Sequence, residues 1–309
     1  MPGETYATPM QQRIWGAAIL ASVGWGTGTV VSRMALEKGA GPYEIALARG
    51  ALAAMAVVLL LAARGRLRRP GGVTIKVGVV MGVFSMAVPF VLGTIALQYA
   101  GAGFVALPIS LVPLTTAAMA HLLLPGERLD TAKVLGLGVA LTGVAVLLLS
   151  GDSGLADGGR PLIAGVLGLV TVVTISAGSI FSKRYAGEYG LMDASAIQFS
   201  LGTAMIVAAS IVMEGRVGVG PLEAWPLLAY LAAVSTFIPV LLYYWMIRHV
   251  TATYAAAVGY LVPLVAVILG VVALGEELQP GIVWGGGLIL AGVILTDRLE
   301  HRRAAPPSR

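Results

Sequence analysis

Long apolar stretches alternate with short polar connections along nearly the whole chain. A helix that crosses a bilayer needs roughly 20 mostly apolar residues. Ten stretches reach about that length, and the pattern therefore predicts an all-α integral membrane protein with ten transmembrane helices. The predicted spans are residues 14–34, 43–63, 76–99, 102–124, 132–150, 161–182, 192–213, 225–247, 252–274 and 281–297.

The longest polar interval lies at the middle of the chain. Its sequence, GDSGLADGGR at residues 151–160, is rich in glycine and aspartate, as linkers are. We therefore predict one five-helix half over residues 1–150 and a second over residues 161–297. The remaining residues, 298–309, are basic and then rich in proline, which predicts a cytoplasmic tail without fixed structure.

Composition indicates that lipid is the solvent. The chain is 58% hydrophobic and 11% charged, whereas soluble domains carry about 25% charged residues. The apolar run at residues 14–31 is longer than a signal-peptide core of ~7–15 residues, so we predict a span there. Cysteine is absent, which excludes disulfides, thiolate metal sites and thiol nucleophiles.

Lysine and arginine are distributed unevenly between the connections. With the N-terminus in the cytoplasm, fifteen of the twenty fall on the cytoplasmic side and four outside, and Arg49 lies within the second span. This bias follows the positive-inside rule, so both termini are predicted to be cytoplasmic and the protein to be a multi-pass protein of the cell membrane. The formal charge of +5 then needs no nucleic-acid partner.

The sequence repeats itself at an offset of 150 residues, most clearly as SLVPL at 110–114 and YLVPL at 260–264. Further matches at this offset are Ser85 with Ser235, Pro89 with Pro239, and Ala106 with Ala256. Because each predicted half has five spans, an odd number, the second half must insert inverted relative to the first. Inverted repeats place the substrate site of many secondary transporters near the bilayer midplane.

These motifs resemble the drug/metabolite transporter superfamily, in its ten-span form with two EamA domains. The resemblance rests on Trp25-Gly26, Pro42, Arg49, the SLVPL and YLVPL spans with GERL and GEEL after them, and the glycine-rich spans 5 and 10. It covers nearly the whole chain and implies an exporter similar to bacterial exporters of amino acids and other metabolites. It also implies that spans 1, 3, 4, 6, 8 and 9 line a central cavity, with spans 5 and 10 packed behind them.

Polar residues near the span centres form the predicted substrate-binding set. They are Trp25, Thr27, Ser85, Ser110, Thr174, Ser176, Ser235, Thr236 and Tyr260. Single hydroxyls in membranes often serve helix packing alone. Together, facing one cavity, they would form a neutral hydrogen-bonding surface with two aromatic walls.

Four prolines near the middle of their spans are predicted kinks or hinges. They are Pro89, Pro113, Pro239 and Pro263. Each removes one helical hydrogen bond and frees the carbonyl four residues earlier. In lipid such a carbonyl needs a partner or a wet cavity.

Arg49 is the one charge well inside a span, about two turns from its outer end at 1.5 Å per residue. Two interpretations stay open. The guanidinium snorkels outward or pairs with a carbonyl or Glu44, or it is the counter-charge for a substrate carboxylate. The position that matches Arg49 in the second half lies near Gln198 and Phe199 and is not basic. The two halves are therefore expected to contribute unequally to the substrate site.

Small residues spaced four apart in spans 5 and 10 allow helices to approach closely. The pairs are Gly136 with Ala140 and Gly287 with Ala291. They predict packing of spans 5 and 10, with a homodimer face as one alternative and no chemistry, and the chain is expected to be a monomer or a homodimer.

Together these features favour a secondary transporter that exports small neutral or zwitterionic metabolites, most of all amino acids, by alternating access. Efflux of lipophilic cations is an alternative, although span 1 lacks the acidic residue that such pumps usually embed. An intramembrane enzyme acting on a lipid-linked substrate is the alternative from another class, but no His-Glu metal motif or Ser-His pair supports it. The expected partners are a small-molecule substrate and the bilayer, with no enzyme activity, metal or cofactor.

Overall fold

A computed structural model describes residues 9–66, 69–123, 131–156, 158–247 and 258–304. The side chains of residues 9–12, 132–133, 244, 247, 258–260, 293 and 296–304 fall outside this description. All regular secondary structure in the described ranges is helical, so the predicted all-α class is confirmed.

The described residues form ten helical rods, numbered here in chain order. They are α1 (Pro9–Glu37), α2 (Pro42–Ala63), α3 (Gly72–Ala96), α4 (Ala102–Leu123), α5 (Thr131–Leu149), α6 (Pro161–Arg184), α7 (Leu191–Glu214), α8 (Trp225–Ala232 continued by Ala233–Phe237 and Ile238–Ile247), α9 (Val258–Leu274) and α10 (Pro280–Ala304). Seven rods are long and apolar enough to cross a membrane, and the described parts of α5, α9 and α10 hold shorter apolar helices. The count of ten spans and the orientation of the termini stay predictions.

Proline and glycine punctuate the helices. Pro42 and Pro161 occupy the first turns of α2 and α6, where a missing N–H costs nothing. Gly215 follows α7 with a φ of 70°, and Gly275 follows α9 with a φ of 66°. Only glycine adopts this left-handed conformation without a Cβ clash, so these positions end their helices sharply.

Two helices contain a π turn at equivalent places. The turns span Val83–Ala87 in α3 and Ala233–Phe237 in α8, an offset of 150 residues. Each turn ends two residues before a predicted kink proline, Pro89 or Pro239. The wider turn accommodates the residue that has no N–H to donate, and π turns of this kind are frequent at functional sites.

The same helix contacts occur in both halves when α1–α5 are matched in order with α6–α10. The contact between α1 and α8 matches that between α6 and α3, and the contact between α1 and α9 matches that between α6 and α4. The contact between α2 and α8 likewise matches that between α7 and α3. The pairs α2–α7, α4–α9 and α5–α10 each join a helix to its own counterpart.

The helices α5 and α10 pack closely through glycine. A Cβ placed on Gly143 of α5 would lie 2.6 Å from the backbone nitrogen of Ile289 in α10, and one on Gly285 would lie 2.9 Å from the carbonyl oxygen of Gly143. The expected packing of the two helices is therefore present. Gly287 was expected to contribute but meets nothing within 4 Å, because it lies on another face of α10 from Gly285.

A carboxylate fixes the start of α4. Glu276, in the connection between α9 and α10, accepts hydrogen bonds from the backbone nitrogens of Ala102 and, at 3.0 Å, Gly103. These are unpaired N–H groups at a helix N-terminus, where negative charge is favourable. The contact ties the end of α9 to the beginning of α4.

The predicted linker contacts connections on both sides of it. The backbone nitrogen of Gly101 donates to the carbonyl of Ser153 at 2.8 Å, and that of Arg160 donates to the carbonyl of Tyr99 at 2.8 Å. The nitrogen of Gly281 donates to the carboxylate of Asp152 at 2.6 Å. The described part of residues 151–160 therefore joins the start of α4 to the start of α10.

We expect Gly143→Ala to lower the unfolding temperature in detergent, because the new methyl group forces α5 and α10 apart. Gly138→Ala on the same helix is the matched control, since its Cβ would meet nothing within 4 Å. That change should leave stability equal or slightly higher, because alanine favours a helix over glycine by about 1 kcal/mol. Equal effects of the two changes would contradict the packing described.

We expect Glu276→Gln to destabilise the protein by about 1–3 kcal/mol, the usual effect of weakening a partly buried charged hydrogen bond. The exposed neighbour Glu277 provides the control, as Glu277→Gln. Unfolding in graded denaturant would measure both variants. Indistinguishable midpoints would show that the carboxylate does not fix α4.

Candidate functional site

The π turn of α8 leaves a carbonyl that a neighbouring helix satisfies. Pro239 has no N–H to give to the carbonyl of Ser235 four residues earlier. The guanidinium of Arg49, on α2, supplies the hydrogen bond from Nη2 to this carbonyl at 3.3 Å. Its Nε also donates to Oγ1 of Thr236 at 3.1 Å. Of the interpretations open for Arg49, pairing with a carbonyl is therefore present in this structure.

An aromatic ring covers one face of the same guanidinium. Cζ of Arg49 lies 4.4 Å from the ring centroid of Phe90 on α3. A cation at this distance is attracted by the negative face of the ring. Arg49 thus joins α2, α3 and α8 at one point.

A chain of hydroxyl groups extends the site to α1. Tyr230 donates from its phenol to Oγ1 of Thr27 at 3.1 Å. Oγ1 of Thr27 lies 3.4 Å from Oγ of Ser235 and donates to the carbonyl of Gly24 at 3.0 Å. We call the group formed by Thr27, Arg49, Phe90, Tyr230, Ser235 and Thr236 the α8 cluster.

A glycine makes room for this cluster on α1. A Cβ on Gly28 would lie 3.2 Å from Cβ of Ser235 and 3.7 Å from Nη2 of Arg49. The equivalent position in α6 is Gly178, whose Cβ would press on Oγ of Ser85. The same close approach of a glycine to the serine of a π turn therefore occurs twice, at an offset of 150 residues.

The counterpart of the α8 cluster around the α3 turn is apolar. At the offset of 150 residues, Arg49 corresponds to Phe199, Thr236 to Met86 and Thr27 to Ala177. Met86 and Phe199 are fully buried in one hydrophobic cluster, which also contains Ile206. The two π turns share a backbone conformation, but at these three matched positions the α8 turn has polar side chains and the α3 turn has apolar ones.

The other predicted hydroxyls bond to helix backbone. Ser110 donates to the carbonyl of Leu107 at 2.6 Å, and Thr174 donates to that of Thr171 at 2.9 Å. Ser176 donates across to α4, to the carbonyl of Val112 at 3.4 Å. Ser110 and Ser176 are fully buried, so in this conformation they contribute to helix packing.

One of the two predicted aromatic walls contacts α8 outside the hydroxyl chain. Trp25 of α1 contacts Tyr243 of α8 edge to face, with ring centroids 5.6 Å apart. This contact lies on the cytoplasmic side of the cluster in the predicted orientation. Tyr260 lies in α9, and its side chain is outside the described part of the chain.

The prolines of α4 and α9 differ in their surroundings. In α4 the segment Leu107–Leu111 is a 3-10 helix. Pro113 has no N–H to donate to the carbonyl of Ile109, which accepts instead from the backbone nitrogen of Val112. In α9, Pro263 lies inside the helix Val258–Leu274. The freed carbonyl in α4 is thus satisfied within its own helix, unlike that of Ser235.

Two cavities in the described residues lie at the ends of helices, away from the α8 cluster. One of about 430 Å³ is lined by Gln98, Tyr99, Gly158, Gly159 and Arg160. The other, of about 510 Å³, is lined mainly by apolar residues of α2 and α7, including Leu61, Ile197 and Leu201, with Asp193 at its edge. Within the cluster Thr27, Ser235 and Thr236 are buried, whereas Arg49, Phe90 and Tyr230 are half-buried.

Sequence reasoning missed three members of this neighbourhood. Gly28 could have been found, because it matches Gly178 at the offset that aligns the other motifs. Phe90 and Tyr230 have no such signal, since aromatic residues are common in apolar spans and their matches at this offset are valines. Only the folded arrangement shows that they contact Arg49 and Thr27.

An all-helical chain with seven candidate spans and a polar cluster buried between helices is a polytopic membrane protein. The sequence profile of the EamA-like transporter family matches residues 14–149 and 162–297. The chain therefore belongs to the EamA-like transporter family, within the drug/metabolite transporter superfamily, and is a multi-pass transporter of the cell membrane.

Named relatives agree with this assignment over almost their full length. A Streptantibioticus cattleyicolor protein named "Probable terminal-alkyne amino-acid exporter" is 25% identical over 97% of this chain and 99% of its own. The Escherichia coli protein named "Uncharacterized inner membrane transporter YedA" is 26% identical over 95% of this chain and 94% of its own. A solved crystal structure at 22% identity superposes with a TM-score of 0.66, covering 95% of this chain and 99% of that one, and so shares the fold.

Proposed function

We propose that this transporter exports small neutral or zwitterionic metabolites, with amino acids as the main substrate class. The α8 cluster is the observation that carries the proposal. It places hydroxyl groups and one guanidinium between α1, α2, α3 and α8, near the middle of the predicted spans. The relative named as an amino-acid exporter adds support from an independent direction.

Alternating access around this cluster is the proposed mechanism. The helix contacts that recur between α1–α5 and α6–α10 support an inverted repeat of residues 1–150 and 161–297. Transporters of this architecture rock one set of helices against another around a fixed site. The π turns before Pro89 and Pro239 supply two equivalent places where α3 and α8 can bend, while α5 and α10 stay packed behind them.

The side chains of the α8 cluster favour this proposal over cation efflux and over intramembrane catalysis. No ion pair within the described residues involves the α8 cluster, and the only charge of the cluster is positive, which disfavours lipophilic cations as substrates. No group of three side chains that could hold a metal ion occurs in the described part of the chain. Transport therefore explains the buried hydroxyls better than intramembrane catalysis does.

The orientation of the protein in the membrane can be tested by labelling single introduced cysteines, because the chain has no cysteine of its own. We expect Arg69→Cys to react with a membrane-impermeant maleimide only after cells are permeabilised. We expect Arg216→Cys, in the exposed connection after α7, to react in intact cells. The reverse pattern would overturn cytoplasmic termini.

Substrate class can be tested with the purified protein. The probes are the twenty proteinogenic L-amino acids, tetraphenylphosphonium as a lipophilic cation, and undecaprenyl phosphate as a lipid precursor. A ligand at 100 times its Kd stabilises the folded state by about 2.7 kcal/mol, which appears as a raised unfolding temperature. We expect at least one amino acid to stabilise the protein and to exchange in proteoliposomes. Stabilisation by the cation or the lipid alone would refute the proposal.

A further inference from the structure

The guanidinium of Arg49 has two edges that can donate hydrogen bonds. The Nε–Nη2 edge bonds to the protein, whereas the Nη1–Nη2 edge is open at Nη1. The Nε–Nη2 edge forms a fork onto the π turn of α8, through Oγ1 of Thr236 and the carbonyl of Ser235. Within the described residues Nη1 has no hydrogen-bonding partner. Arginine presents five donors in a fixed plane, so fixing one edge fixes the direction of the other.

The open edge is not sealed by the protein, because Arg49 is only half-buried and Nη1 is not a buried atom left without a partner. Gly28 lies beside it, with 3.7 Å between Nη2 and the place where a Cβ would be. The phenol of Tyr230 and the hydroxyls of Thr27 and Ser235 follow along α1 and α8. A small group bound at Nη1 and Nη2 would therefore lie next to a glycine and a row of hydroxyl oxygens.

The cation also lacks an acidic partner in the described part of the chain. Glu44, five residues earlier on α2, instead accepts from the backbone nitrogen of Gly41 at 2.8 Å and lies 3.8 Å from Arg216. A charge inside a membrane protein is costly when its only partners are neutral. An anion at the open edge would reduce that cost, and a carboxylate matches the geometry of two parallel N–H groups.

We propose that the Nη1–Nη2 edge of Arg49 binds the carboxylate of the transported molecule, and that Thr236 and the Ser235 carbonyl act as positioning groups that aim it. This inference rests on the proposed function and narrows it to carboxylate-bearing substrates, such as α-amino acids. The ammonium group of an amino acid then donates to the hydroxyls of Tyr230, Thr27 and Ser235. Amines without a carboxylate are repelled by the guanidinium.

The α8 turn can bind a carboxylate in this way, and the equivalent α3 turn cannot. The equivalent position at the α3 turn has Phe199 in place of Arg49 and Met86 in place of Thr236, both fully buried. A second carboxylate has no receptor there. The substrate is therefore a monocarboxylate that keeps its charged end toward α8.

The experiment compares ligands that differ only in the carboxylate, on the full chain in detergent. Each proteinogenic L-amino acid that raises the unfolding temperature is compared with its own amide and its decarboxylated amine. We expect the amide and the amine to bind wild type at least tenfold more weakly than the acid. In Arg49→Gln we expect the acid to fall to the level of the amide, and in Arg49→Lys to fall part of the way, because a lysine keeps the charge but cannot form the fork.

Arg33→Gln is the matched control, since Nη1 of Arg33 also donates to a carbonyl of another helix, that of Leu97 at 2.6 Å. It should leave the preference for the acid unchanged. If acid and amide bind wild type equally, or if Arg49→Gln keeps the preference, the carboxylate receptor is refuted while the exporter stands. If no amino acid binds, both proposals fall. Where Arg49→Gln does not fold, Arg49→Lys decides the question, and a preference for the acid as strong as that of wild type would refute the receptor.

Discussion

A backbone carbonyl in the middle of a membrane protein must have a hydrogen-bond donor, because no water is at hand to provide one. Pro239 removes the donor that the carbonyl of Ser235 would have in a regular helix. The protein meets this requirement with a π turn and with a guanidinium from α2. The positions of Arg49, Thr236 and the neighbouring Gly28 all follow from that one unsatisfied carbonyl.

The side chains that surround the two π turns differ between the halves. Both π turns precede a proline, and both place a serine against a glycine of the neighbouring helix, Gly178 or Gly28. Around the α3 turn the adjoining positions are filled by Met86 and Phe199, which pack into a hydrophobic cluster. The repeat has thus kept the π turn in both copies and the polar side chains at these positions in one.

Sequence patterns predicted the elements well and the contacts between them poorly. Span lengths, the repeat and the kink prolines follow from apolar runs and from the loss of one N–H, both of which are local. The partner of the Ser235 carbonyl lies 186 residues away and could be given only as one of several interpretations of Arg49. Gly287 does not contact α5, because a small-residue spacing does not tell which face of α10 meets α5.

The charge of Arg49 and its lack of an acidic partner among the described residues have a common explanation in the proposed function. If a carboxylate of the protein paired with Arg49, the pair would be neutral and would have little attraction left for a substrate carboxylate. Thr236 and the Ser235 carbonyl instead fix the guanidinium through neutral acceptors, so its orientation is set while its charge stays uncompensated. Thr236 in turn donates to the carbonyl of Leu231 at 2.9 Å, which leaves its lone pairs directed at Arg49. Under the proposed function, this arrangement leaves the cation free to pair with the carboxylate of a substrate.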